Sequence, residues 1–152
     1  MNRIRIAGWF AVVCLVLSAS ALAQNAPDKA YLDKIWAGWS AMNADAQTQF
    51  YAQGPHVFFD DEPLKYDSWD QYRKTVNTEL AEYKSGKFHV NDDAQIHKAS
   101  PTLYWGTSTI DFDMVRKDGK EEKGTMRWTF VLEKQGDKWL IVHEHVSLPM
   151  GS

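Results

Sequence analysis

The chain has 152 residues, with 17 Lys or Arg against 20 Asp or Glu and a formal net charge of −3. A mildly acidic chain with no basic run is not built to bind nucleic acid. Its single cysteine, Cys14, lies in an apolar N-terminal run. The remainder therefore holds no disulfide, no thiol nucleophile and no cysteine-ligated zinc.

Arg3 and Arg5 precede an apolar stretch from Ile6 to Leu17, and Ala21-Leu22-Ala23 follows. A positive start, a short apolar centre and an Ala-x-Ala end form the pattern of a cleavable secretory signal. The stretch is short for a membrane span, which needs ~20 apolar residues, so an uncleaved anchor is the alternative. The expected organisation is a signal peptide over 1–23, a tether over 24–27, one domain over 28–149 and a tail over 150–152. The product is expected to be secreted or periplasmic, with no membrane contact once the signal is removed. Taking 23 residues from 152 leaves 129, and losing Arg3 and Arg5 moves the charge to −5. That length suits a single domain with a real core.

Asp28 is a good N-cap, and Tyr31, Leu32, Ile35, Trp36, Trp39 and Met42 follow at helical spacing. Asp45 is placed to cap a second short helix through Tyr51, stopped by Gly54-Pro55. Val57-Phe58-Phe59 reads as a short strand ending in Asp60-Asp61-Glu62. Ser68, with Gln71 three residues on, opens a third helix in capping-box register. Trp69, Tyr72, Val76, Leu80 and Tyr83 mark its apolar face, and Gly86 is read as its stop. Extended segments follow: 88–99, then 103–115, a turn at Asp118-Gly119, a strand containing Arg127, a turn at Gly136, and a last strand to Ser147. Helices first and a strand meander after them predict an α+β fold. Its expected form is a curved antiparallel sheet of about four long strands plus a short one, with three helices on one face.

Strand alternation divides the last hairpin. One face carries Arg127, Thr129, Val131, Trp139, Ile141, His143, His145 and Ser147. The other carries Trp128, Phe130, Leu132, Leu140, Val142 and Val146, with Glu144 as its only charge. The favoured reading turns the polar face to the helices and leaves the apolar face as a homodimer interface. The opposite assignment buries the apolar face and leaves the polar patch wet.

On the favoured reading, Arg127 binds the ligand with Thr129, His143 and Ser147. Trp39, Tyr51, Phe59, Trp69 and Tyr72 form aromatic walls. Asp111 falls near Arg127 across the preceding turn, and Asp111, His145 and Asp60 are the candidate proton carriers. A cross-strand ion pair and a solvated acidic turn explain the same acids without chemistry. His143 and His145 also have the spacing of a metal pair, with Asp111 or Asp113 as third ligand. Hydrogen-bonded structural histidines are the commoner use of such a pair, and no metal or cofactor is assigned.

The motif W-x-x-x-N-A-D-A from Trp39, FFD at 58–60 and Y-x-S-W-x-x-Y at 66–72 resemble the SnoaL-like domains of the nuclear transport factor 2-like superfamily. The ending R-W-T-F-V-L-E-K…G-D-K-W-L-I-V-H-E-H-V-S-L-P is similar to the end of the calmodulin-dependent protein kinase II association domain. The resemblance implies a cone with a cavity between helices and sheet, where cavity arginines bind carboxylates; only Arg127 carries over. Related folds include ketosteroid isomerase and polyketide cyclases, which use a cavity Asp as base, a part open to Asp60 or Asp111. The expected protein binds a small, partly apolar, acidic molecule, with isomerase-, cyclase- or lyase-type proton transfer as its chemistry. A non-catalytic homo-oligomeric association module is the alternative.

Overall fold

The structure, a computed structural model, describes residues 25–61 and 63–150. The expected signal peptide, Gln24 of the tether, Glu62 and the last two residues of the tail lie outside them. The described elements are α1 (Lys29–Trp39), a 3-10 turn (Ala44–Gln47), β1 (Phe58–Phe59), α2 (Trp69–Leu80), β2 (Tyr83–Val90), β3 (Gln95–Ser100), β4 (Leu103–Arg116), β5 (Glu121–Gln135) and β6 (Lys138–Ser147).

Both helices start where their caps dictate. The Asp28 carboxylate accepts from the Tyr31 amide at 2.9 Å. Ser68 Oγ accepts from Gln71 N at 3.2 Å, and Gln71 Oε1 reaches back to accept from Asp67 N at 2.9 Å. Side chains thus satisfy amides that a helix leaves orphaned in its first turn. Leu32, Ile35, Trp36 and Trp39 on α1, and Trp69, Tyr72, Val76 and Leu80 on α2, form the buried stripes.

Three expectations need correction. Among the described residues there are two α-helices rather than three, because the segment after Asn43 makes only a single 3-10 turn. That turn is held by Ala44 N donating to Asn77 Oδ1 at 2.7 Å and by Gln47 Nε2 donating to Ile35 O at 3.0 Å. The last helix ends at Leu80, not Gly86. Tyr83 already pairs with Arg116 in the sheet, and Gly86 lies mid-strand, where an added Cβ would meet Met42 Sδ at 2.7 Å. The sheet has six strands, and it is mixed.

Its order is β1-β6-β5-β4-β2, with β3 also pairing β4. The 14-residue β4 is long enough to pair β3 through its first half and β2 through its second. At the β3–β4 crossing, a Cβ on Gly106 would fall on Gln95 O and on the Phe130 ring, so the backbones approach where only glycine fits. β1 runs parallel to β6, with Phe58 opposite Glu144 and Phe59 opposite His145.

The final hairpin settles which face meets the helices. β5 and β6 pair Thr129 with His145 and Val131 with His143, but Leu132 then faces Ile141. Val142 is an extra residue, a β-bulge, and it reverses the side-chain parity of β6. Trp139 and Ile141 therefore point inward on one side of the bulge, and Glu144 and Val146 on the other. Trp128, Phe130 and Leu132 join them under the helices, all essentially buried. The favoured face assignment was the wrong way round. The apolar face is core and so unavailable as a dimer interface, and the polar patch is the outer face.

Candidate functional site

Turning the apolar face inward takes Glu144 with it. Glu144 is 1% exposed, in a core otherwise made mostly of rings and aliphatic side chains. A charge in such a place needs partners. Tyr51 OH donates to its Oε1 at 2.6 Å and Trp128 Nε1 to its Oε2 at 2.8 Å. Tyr51 is brought there by main-chain bonds between its flanking residues and β6: Ile141 N to Phe50 O at 2.8 Å and Ala52 N to Ile141 O at 3.0 Å. Its ring stacks on Trp69 at 4.0 Å between centroids, and this fixes the hydroxyl.

A second carboxyl reaches the same interior. Because β1 lies beside Glu144 and His145, the chain leaving it delivers Asp60 to the edge of the core. Tyr72 OH, from α2, donates to Asp60 Oδ2 at 2.8 Å, and Asp61 N donates to Oδ1 at 2.9 Å. Tyr72 stacks against Phe58 at 5.6 Å and Tyr66 at 4.7 Å, so its hydroxyl too is held by packing.

Burial sets the proton affinities. Desolvation raises Glu144 to about 7 against the pull of the Tyr51 and Trp128 hydrogen bonds, and the charge of Asp60 adds to the rise. Desolvation likewise raises Asp60 to about 6, opposed by its bonds from Tyr72 and Asp61. Burial first, then the neighbouring carboxylates, push Tyr51 and Tyr72 well above the ordinary phenol value. Both tyrosines remain neutral donors. Two carboxyls that exchange protons near neutrality, each clamped by a phenol, constitute an acid–base pair.

A cavity of about 680 Å³ opens on this pair. Trp36, Trp39, Tyr72 and Phe88 form ring walls, Val76, Leu80, Met114, Met126 and Val146 the aliphatic ones, and Asp60 and Glu144 supply carboxyls. Asp61, Glu79, Glu82, Tyr83 and Arg116 complete the lining. Arg116 is the one cation among the described lining residues, and it is engaged. Its guanidinium lies 5.0 Å from the Tyr83 ring centre, 3.6 Å from Glu82 and 3.8 Å from Glu122.

The residues singled out from sequence fall into three groups. Trp39, Asp60 and Tyr72 line the cavity. Tyr51 and Trp69 are buried behind its wall. Arg127, Thr129, His143, His145, Ser147, Phe59 and Asp111 lie outside it. Arg127 is opposite Thr109 and Ser147, not Asp111, and donates to Leu148 O at 2.9 Å. Asp111 accepts from Thr125 Oγ1 at 2.6 Å and from Asn91, bonds that lower its pKa. His143 Nδ1 is 2.7 Å from Val57 O, and both outer histidines meet Phe59 edge-on. Among the described residues no group of three or more His, Cys, Asp or Glu could hold a metal ion. Sequence reasoning missed Glu144, Arg116, Trp36 and Phe88 as site residues. Glu144 did carry a signal, as the lone charge on an apolar face.

The SnoaL-like domain profile matches residues 29–151. The chain belongs to the SnoaL-like domain family. No curated protein matches it significantly. Solved structures share the fold of this SnoaL-like domain. A Xanthomonas campestris protein, provisionally named a calcium/calmodulin-dependent protein kinase II association domain, aligns with TM-score 0.71 at 22% identity, over 82% of this chain and 86% of that one. A nuclear transport factor 2-like superfamily protein from Salmonella enterica serovar Typhimurium aligns with TM-score 0.70 at 19% identity, over 82% and 92%. A Novosphingobium aromaticivorans protein, provisionally named a scytalone dehydratase, aligns with TM-score 0.71 at 10% identity, over 80% and 81%. At these identities the likeness is one of fold.

Proposed function

We propose that this SnoaL-like domain binds a small, largely apolar molecule in its cavity and moves protons on it. The observation that carries the reading is a pair of carboxyls, the buried Glu144 and the half-buried Asp60, lining one cavity. Near neutral pH Asp60, at about 6, is mostly ionised and suits a base, while Glu144, at about 7, is about half protonated and suits an acid. Different proton affinities on two neighbouring carboxyls supply both roles at one pH. Cavity volume and lining fit a molecule of two fused rings, within the ~300–1,000 Å³ usual for such sites. The association-domain and dehydratase names of the structural neighbours are compatible with this reading but do not carry it. On the sequence of residues 1–23, we further propose that the domain works after export.

Proton exchange into deuterated water tests the reading. Aryl methyl ketones are offered as enolisable probes, and loss of their α-proton signal is followed by NMR. The protein should accelerate exchange, and Asp60→Asn and Glu144→Gln should each slow it by roughly 100-fold, the usual size of a general acid–base contribution. Exchange that is equally fast in both variants would remove the carboxyls from the chemistry.

A second reading concerns assembly. Trp105 on the outer face is 44% exposed and stacks on His97 at 4.3 Å. We propose that this face, rather than the apolar one, pairs copies of the chain. Light scattering should give a dimer mass that Trp105→Ser lowers, and a monomer mass for the unaltered chain would end the idea.

A further inference from the structure

We infer that the cavity is selective for an organic cation, an ammonium carried on a flat apolar body. This deepens the small-molecule reading and rests on it. The described lining holds five carboxyls, on Asp60, Asp61, Glu79, Glu82 and Glu144, against the single guanidinium of Arg116. That guanidinium is already shared between Glu82, Glu122 and the Tyr83 ring. An anionic ligand would have to displace those partners and sit among like charges.

A cation meets the opposite situation. The rings of Trp36, Trp39, Tyr72 and Phe88 line the cavity, and the face of such a ring carries the negative lobe of its quadrupole, which attracts cations. Each oxygen of Glu144 and Asp60 accepts one hydrogen bond within the protein. A carboxylate has about four acceptor sites, so room remains for N–H donors from a ligand. A neutral donor could use the same acceptor sites, but without the charge that strengthens such bonds and without the attraction of the rings.

The binding should be linked to protons. Glu144 is faced by Tyr51 from the segment before β6's partner strand, by Trp128 from β5, by Tyr72 from α2 and by Asp60 beyond β1. Asp60 is faced by Tyr72 and Asp61. Glu144 and Asp60 change charge near neutrality, and a bound ammonium favours their ionised forms. Cation affinity therefore rises with pH from about 5 to 8 as the pair deprotonates.

Three probes of one shape decide the matter: naphthylmethylammonium, naphthalenemethanol and naphthoate, titrated by calorimetry into the protein at about pH 8 and about pH 5. The ammonium should bind roughly ten-fold tighter than the alcohol at the higher pH, with the carboxylate weakest, and the preference should shrink at the lower pH. Glu144→Gln should remove most of the preference. Asp61→Asn, at an exposed position that leaves the core untouched, should weaken the ammonium about two-fold and the alcohol not at all. Equal affinity for ammonium and alcohol, or tightest binding of naphthoate, overturns the cation inference and leaves the cavity reading standing. Failure of all three probes to bind overturns both.

Discussion

Replacing Glu144 by glutamine keeps the shape of the side chain and removes its charge. In the folded protein the Glu144 carboxyl ionises at about 7, against an ordinary 4.5. At ~1.4 kcal/mol per pH unit, ionising it in the core costs about 3 kcal/mol more than in the unfolded chain. The sign follows from the direction. Between those two values the folded state holds a proton that the unfolded state has lost, so stability is full below about 4.5 and declines as pH rises to about 7. Glutamine has no such proton. Its amide oxygen can keep the bond from Trp128 Nε1, and its amide N–H can donate to the Tyr51 hydroxyl, which accepts as well as donates, so neither partner is stranded. Relative to the parent, Glu144→Gln should therefore gain about 3 kcal/mol of stability between about pH 4.5 and about pH 8. Asp60 is present in both proteins, so its own titration largely cancels from the difference. Urea unfolding followed by tryptophan fluorescence at a series of pH values measures this directly. Parallel stability curves for the two proteins would refute the argument, because they would mean that the folded protein does not retain the Glu144 proton.

Two further outcomes follow from the same structure. Gly106→Ala places a Cβ on the Gln95 carbonyl and the Phe130 ring, so strands β3 and β4 must separate; the loss should be about 2 kcal/mol or more, seen as a lowered melting temperature. Arg127→Ala removes an exposed side chain whose recorded bond is to the Leu148 carbonyl, so stability should change by less than ~0.5 kcal/mol and probe binding in the cavity should not change; a large loss of binding would return the site to the outer face.

Local chemistry made much of the fold legible. Asp28 and Ser68 announced both helix starts, and apolar spacing in 29–39 and 69–80 announced their buried stripes. The turns at Gly119 and Gly136, both with positive φ, marked the hairpins of the meander. Motifs spread along the chain were enough to point to the family. Such features act within a few residues, and a linear reading has access to them.

The site depended on contacts between distant residues. Alternation says which side chains of a strand share a face, but not which face meets the helices, and one inserted residue changes the pattern itself. Val142 is that residue. It brings Trp139 and Ile141 onto the side of Glu144 and leaves His143 and His145 outside. The parallel pairing of β1 with β6 joins residues more than eighty apart and brings Asp60 to the cavity that Glu144 also lines. The proton affinities of that pair come from burial, which the assembled core creates. The sequence by itself determined both helix starts, the hairpin turns and the family. Tertiary structure alone decided that a lone glutamate on an apolar strand, rather than the arginine and histidines beside it, would face the cavity.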